Sequence, residues 1–179
     1  MGIQVRAIER LDYERAYAFQ CEYLDSERFG DFTKRVADNP DLYVVAVDGD
    51  ELVGICYGNS SKMDDTSVIT LQGIAVNLDE TKGYARIGIG SAMMRAFENV
   101  VKTKGCRKIG VGSADDPKVE AFYLKNGFNP IELVAKDSRY EEIERVKVDV
   151  FETGSIVREG LRRKHSPREV IFIFEKVLD

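Results

Sequence analysis

The sequence holds a single histidine, three cysteines, and no apolar stretch long enough to span a membrane. Each shortage removes a class of protein. Cys21, Cys56 and Cys106 are odd in number, widely spaced and free of any Cys-x-x-Cys pair, which argues against a disulfide-stapled scaffold and reads as reduced core thiols. His165 has no nearby cysteine or carboxylate at metal-ligand spacing, so no metal is expected. The longest apolar runs are strand-sized, and Arg6, Glu9 and Arg10 place charge where a signal peptide or membrane span would need apolar residues. A soluble, unexported, cytoplasmic protein with no membrane partner is therefore expected. Basic residues are also outnumbered: 26 Lys and Arg against 31 Asp and Glu give a net charge of -5, which disfavours nucleic acid as a partner. The one basic cluster, Arg162, Arg163, Lys164 and Arg168 around His165, reads as a solvated helix end. No Gly-x-Ser-x-Gly elbow, internal repeat, low-complexity tract or linker is present.

What is there is a patterned chain of 179 residues, 44% hydrophobic, enough for one compact domain over residues 1–179. Alternating Ile3, Val5 and Ala7 predict a strand, and helices are predicted over about 12–24 and 31–37, before the Asn39-Pro40 breaker. Two β-patterned runs, 42–47 and 51–57, flank Asp48-Gly49-Asp50, whose Asp-Gly pair favours a tight hairpin. Residues 67–76 are apolar along much of their length, as in a strand buried on both faces. Ile89, Ala92, Met93, Ala96, Phe97, Val100 and Val101 recur at steps of three and four, predicting a helix over 89–104 closed by Gly105. A strand over 108–113 follows, then a short helix opened by Asp116-Pro117 and ended by Asn126-Gly127, then a strand over 128–135. A charged stretch at 136–145, a strand over 146–151, a helix over about 154–164 and a strand over 170–174 complete the chain. This order predicts an α+β fold, a mixed α/β layered domain.

The polar, glycine-containing loop at 77–88 leads directly into the long helix. The first N–H groups of a helix lack intrahelical partners and sit at the positive end of its dipole, so they bind anions where glycine lets a ligand approach. The run Tyr84-Ala85-Arg86-Ile87-Gly88-Ile89-Gly90-Ser91 puts two glycines and one cation there, which points to a phosphate-bearing ligand. A dinucleotide fingerprint would need Gly or Ala at Met93, and a P-loop would need Lys and then Ser or Thr after a glycine; neither pattern is met.

The segment resembles the acetyl-CoA-binding motif of the GNAT superfamily, in which Arg or Gln, two residues, Gly, one residue, and Gly or Ala cradle the pyrophosphate. Gly88 and Gly90 match; Ala85 stands where the family has Arg or Gln, with Arg86 one residue late, and the loop is longer than usual. Leu71 to Val76 looks like the family's splayed strand, which implies that Ile74, Ala75 and Val76 meet the pantetheine arm. Asp116, Phe122, Tyr123, Gly127 and Phe128 are similar to the family's closing motif, with Asp116 and Val119 in place of the common Asn and Ala. The motifs cover about residues 42–135 in family order. The resemblance implies a GNAT-type acyl-CoA N-acyltransferase fold, a central, mostly antiparallel twisted sheet flanked by helices. It also implies acetyl-CoA as co-substrate, with the loop residues 84–91 and Asp116 around it.

Direct acyl transfer to an amine in a ternary complex needs a neutral nucleophile and a proton for the departing thiolate. Tyr123 stands where many relatives hold the tyrosine that protonates the CoA sulfur, and a phenol with pKa near 10 is protonated at neutral pH. Its other use is as a core aromatic beside Phe122. Gln72 takes the place of the glutamate that many relatives use as a base, and an amide cannot accept the proton. Glu22, Asp25 and Glu27 lie in the early helical region that borders the family's acceptor cleft, and each also reads as part of a solvated face. The expected activity is N-acetylation of a small-molecule or peptide amine; a non-catalytic acyl-CoA-binding or sensing module on the same fold is the alternative. Residues 137–168, longer than the family's short connection, are expected to shape acceptor choice or to form a homodimer contact.

Overall fold

The computed structural model describes residues 2–60 and 67–179. They group into two compact units, Met1–Arg107 and Lys108–Asp179, each described by itself.

In the first unit, β1 (Gln4–Ala7), β2 (Tyr43–Asp48), β3 (Glu51–Ser60) and β4 (Val68–Val76) pair in that order, every pair antiparallel. The Asp48-Gly49-Asp50 turn joins β2 to β3, with Gly49 at φ 60°. Helices α1 (Tyr13–Tyr23) and α2 (Phe29–Asp38) cover one face of this sheet. Phe19, Phe32 and Val36 pack there against Tyr43, Val45, Ile55 and Tyr57, the strand residues that period-two alternation turns to one side. A β-bulge beside Val47 resets the alternation, so that Leu52 and Ile55, three apart, reach the same core. The opposite face takes α3 (Ile89–Thr103), whose buried side chains Ile89, Met93, Met94, Phe97 and Val101 form a single stripe. Close approach depends on two glycines of β3. A Cβ on Gly58 would lie 2.7 Å from the Phe97 ring and 2.4 Å from the Thr70 carbonyl, and one on Gly54 would lie 2.9 Å from the Met93 methyl. These contacts fix α3, and with it the position of its N-terminus.

Strand β4 departs from the expectation of burial on both faces. Ile69, Leu71 and Gly73 are buried, but Gln72 is exposed and Ile74, Ala75 and Val76 are only half-buried. An apolar run is therefore compatible with a partly open strand.

In the second unit the strands are β5 (Lys108–Gly112), β6 (Asn129–Lys136), β7 (Glu142–Lys147) and β8 (Glu169–Val177), in the spatial order β5-β8-β6-β7 with antiparallel pairing throughout. Helix α4 (Pro117–Lys125) follows β5, and α5 (Phe151–His165) precedes β8. Helix α5 rests on Phe172: a Cβ on Gly154 would lie 2.8 Å from that ring, and Phe151 stacks on it at 4.9 Å. Here the sequence misplaces two boundaries. The strand predicted over 146–151 runs instead over 142–147, beginning within the stretch read as merely charged and keeping only its first two predicted residues, and α5 begins three residues earlier than predicted. The cause is pairing: β7 is the outer strand of this unit, and Arg145 bridges Glu142 and Glu132 of β6, so charges are the natural content of that strand.

Candidate functional site

The loop from β4 to α3 is braced along its length. The Asn77 N–H donates to Val53 at 2.8 Å, and the Asn77 side-chain oxygen accepts from the Asp79 N–H at 2.8 Å and from the Tyr23 hydroxyl at 3.3 Å. The Asp79 carboxylate then accepts from both the backbone and the hydroxyl of Thr81. Lys82 pairs with Glu51, and the Tyr84 hydroxyl donates to Asp48 at 2.9 Å, so the far end of the loop is tied to the β2–β3 hairpin. That hydrogen bond, with burial adding to it, pushes the Tyr84 phenol up to about 12. Tyr84, predicted as a cofactor contact, thus spends its hydroxyl on holding the loop.

The chain next passes through left-handed backbone at Arg86, φ 62°, and at Gly88, φ 92° and ψ 7°. For arginine this conformation costs about 1–2 kcal/mol, a strain of the kind concentrated at functional sites. Gly88 caps α3, accepting at its carbonyl from the Ala92 N–H at 3.0 Å, and no atom lies within 4 Å of where its Cβ would be. Ile87 points out, 61% exposed, while Ile89 is buried and anchors the first turn. The N–H groups of Ile89, Gly90 and Ser91 are those without intrahelical acceptors. The result is a fixed helix N-terminus, approached through an open glycine and flanked by an exposed Arg86. Ala85 is half-buried and offers only backbone. Ile74, Ala75 and Val76 pair with Cys56, Ile55 and Gly54 of β3 and sit at the strand end that feeds this loop. These eleven of the expected cofactor positions therefore lie in the first unit.

Asp116 and Tyr123 belong to the second unit. Asp116 is the N-cap of α4, its carboxylate accepting from the Lys118 N–H at 2.8 Å, with Pro117 as first helical residue. Tyr123 is 5% exposed. Its ring meets Phe122 and Phe128 edge-on, each at 5.5 Å, and Phe174 at 5.8 Å. Gly127, at φ 86°, turns the chain so that Phe128 reaches this cluster.

Among the carboxylates weighed as bases, Glu22 and Asp25 are exposed, as a solvated face would be. Glu27 is not. It accepts from Gln20 at 2.8 Å and pairs with Arg35; burial works to raise its pKa, but these donors hold it below the usual carboxylate range. Glu22 lines a groove of about 690 Å³ in the first unit together with Arg15, Tyr23, Asp50, Glu51 and Asp79. The last three escaped the sequence analysis because the hairpin tip and the loop meet α1 only in three dimensions.

The histidine region has more partners than its sequence suggests. Lys164 bonds Glu144 at 2.6 Å, His165 is half-buried with its ring 3.4 Å from the same carboxylate, and Arg162 grips Asp115 with two bonds of 2.8 Å. Arg168 stacks 4.5 Å over Tyr140. Arg163, Lys164 and Arg168 are nevertheless exposed, so the cluster is a solvated helix end with carboxylate and aromatic partners along it. Of the thiols, Cys56 and Cys106 are buried but Cys21 is only half so. Among the described residues no helix is long and apolar enough to cross a membrane.

No curated protein sequence matches this chain. Solved structures do. The ribosomal-protein-S18-alanine N-acetyltransferase of Escherichia coli matches with a TM-score of 0.65 at 15% identity, over 99% of this chain and 95% of that one. Ard1 from Thermoplasma volcanium matches with a TM-score of 0.67 at 15% identity, over 100% and 99%. Arabidopsis thaliana Naa50, in complex with the bisubstrate analogue CoA-Ac-MVNAL, matches with a TM-score of 0.68 at 13% identity, over 98% and 99%. At these identities the likeness establishes the fold. The sequence model of the acetyltransferase (GNAT) family matches residues 3–128, well over half the chain and including β4, the braced loop and Tyr123. With that match and its mixed α/β layering, this chain belongs to the GNAT acetyltransferase family, whose co-substrate is acetyl-CoA.

Proposed function

We propose that this protein is an N-acetyltransferase that moves the acetyl group of acetyl-CoA directly to an amine acceptor in a ternary complex, both units forming one catalytic domain. The observation that carries this is the start of α3 within the family match: a left-handed Gly88 with open space around it, presenting the N–H groups of Ile89, Gly90 and Ser91. Those groups fit a pyrophosphate, and Arg86 adds positive charge beside them. Ile74, Ala75 and Val76 offer backbone donors and acceptors to an extended arm, as a partner strand would. Acetyl-CoA supplies a thioester, whose sulfur leaves as thiolate. Tyr123 is the proton donor to that sulfur, its ring oriented by Phe122, Phe128 and Phe174. Asp116 fixes the first turn of the helix that bears Tyr123. Gln72, exposed on β4, is uncharged, so the amine either arrives neutral or gives its proton to water.

Similar structures include a ribosomal-protein-S18-alanine N-acetyltransferase and Naa50 with the bisubstrate analogue CoA-Ac-MVNAL, and a peptide or small-molecule amine is the acceptor class in this reading. A non-catalytic acyl-CoA-binding module is the second reading, favoured by one observation, Gln72 in the place of a base. Thiol release from acetyl-CoA across a panel of peptide N-termini, polyamines and amino acids separates the two. Turnover with any amine supports the transferase; tight CoA binding with no release above the buffer rate defeats it.

A further inference from the structure

The long connection between β6 and β8 grips the helix that carries Tyr123. Arg158 and Arg162 are four residues apart on α5 and share one face. Arg158 contacts both carboxylate oxygens of Glu120 in α4, one at 3.1 Å, and lies 3.6 Å from Asp115. Its guanidinium stacks 4.8 Å over Phe172, and its buried Nε has no hydrogen-bond partner among the described residues. Arg162 holds Asp115 in a two-point fork, and the Val170 N–H donates to the same carboxylate at 3.0 Å. Asp115 immediately precedes the N-cap of α4, and Glu120 is three residues before Tyr123, one turn back on the same helix face. A nine-residue helix is thus held at both its entry and its middle by one partner element.

Stability alone is a poor account of this arrangement. Glu120 is 1% exposed and Arg158 is 11% exposed, and burying such a pair forfeits hydration that the mutual attraction often fails to restore. Well-packed apolar residues at such sites commonly leave a protein as stable or more so. What the charged pair supplies that apolar packing does not is direction: a forked guanidinium meets a carboxylate in one geometry. We propose that Arg158 and Arg162 are positioning residues for acetyl transfer, fixing α4 through Glu120 and Asp115 so that the Tyr123 hydroxyl is held where it gives up its proton. This rests on Tyr123 being the acid. It gives the long connection a role in the chemical step, beyond the acceptor choice expected of it.

The test places Arg158→Lys and Arg162→Gln in the wild-type and in the Tyr123→Phe backgrounds. Melting temperature, CoA affinity by calorimetry and kcat with the amine found by the panel are then measured. Small misplacement of a catalytic group is costly, so each variant is expected to lose about tenfold in kcat with CoA affinity within about twofold of normal. In the Tyr123→Phe background the same substitutions should change kcat by less than about twofold, since their route of action is already gone. A lower melting temperature with unchanged kcat, or equal losses in both backgrounds, overturns the positioning role. Should Arg158→Lys fold poorly, Arg162→Gln carries the comparison, its side chain being 35% exposed. A Tyr123→Phe enzyme with full turnover removes the acid and this inference with it. Full turnover in the arginine variants, beside a damaged Tyr123→Phe enzyme, defeats the positioning alone.

Discussion

At the scale of single residues, two tyrosines predicted at the site do different work. Tyr123 is enclosed by aromatic rings that a phenylalanine would also satisfy, so Tyr123→Phe should keep the fold and CoA affinity while kcat falls at least about tenfold. A purely structural hydroxyl would show the reverse, lower melting temperature and normal turnover per folded molecule. Tyr84 spends its hydroxyl on Asp48, and the raised pKa keeps it protonated, a donor to the hairpin and no acid or base near neutrality. Removing that brace in Tyr84→Phe should loosen the cradle and weaken CoA binding about fivefold, the value of a hydrogen bond worth about 1 kcal/mol. Unchanged affinity by calorimetry would mean that Lys82 with Glu51 suffices to hold the loop. The helix start at Gly88, the apolar face of α3 and the turn at Gly127 were legible because each is written in neighbouring residues. Glu120 and Arg158 were not, because they meet across 38 residues and neither is distinguished by its neighbours in sequence.

At the scale of elements, period and punctuation were enough wherever an element buries one face. The α3 stripe, the Asp48-Gly49 hairpin and the Asp116-Pro117 helix start all appear within a residue or two of expectation. The failures have a common cause. Strand β7 pairs on one edge and carries charges, so its pattern looks like loop; β4 is apolar yet half open, so its pattern looks like core. In both, the deciding partner lies outside the segment. The first turn of α3 is firmly placed, since buried Ile89 and the glycines of β3 leave little room to adjust. On the proposed cofactor site, Gly90→Val puts a branched side chain where the pyrophosphate would approach, so CoA binding should weaken by at least about tenfold, while the helix loses little because valine propagates a helix no worse than glycine. Normal affinity in a protein with wild-type circular dichroism would place the cradle elsewhere.

At the scale of the whole molecule, stability should depend on acid in a way fixed by carboxylates that arginines hold ionised. Asp12 is fully buried between Arg6 and Arg15 and accepts the Glu9 N–H at 2.8 Å; burial works to raise its pKa, but the Arg6 bonds and the N–H outweigh it. Glu27 beside Arg35, and Asp115 beneath Arg162 and the Val170 N–H, are lowered against burial in the same way. All three therefore have folded-state pKa values below the unfolded references, about 3.9 for Asp and about 4.3 for Glu. For a lowered pKa the stabilisation is complete above the unfolded value and disappears as pH falls through the folded one. Melting temperature should thus change little on this account from pH 7 to about 5 and drop steeply below about 4, with protons taken up on unfolding in that range. Asp12→Asn gives the sharper test, because it removes one contributor, takes from Arg15 its carboxylate partner and leaves Arg6 only the more distant Glu9 at 3.9 Å. It should cost about 3 kcal/mol or more at neutral pH and make the acid limb shallower, since one fewer group binds a proton on unfolding. A variant that loses stability equally at pH 7 and pH 3 would show that Asp12 acts through its hydrogen bonds alone and not through its charge.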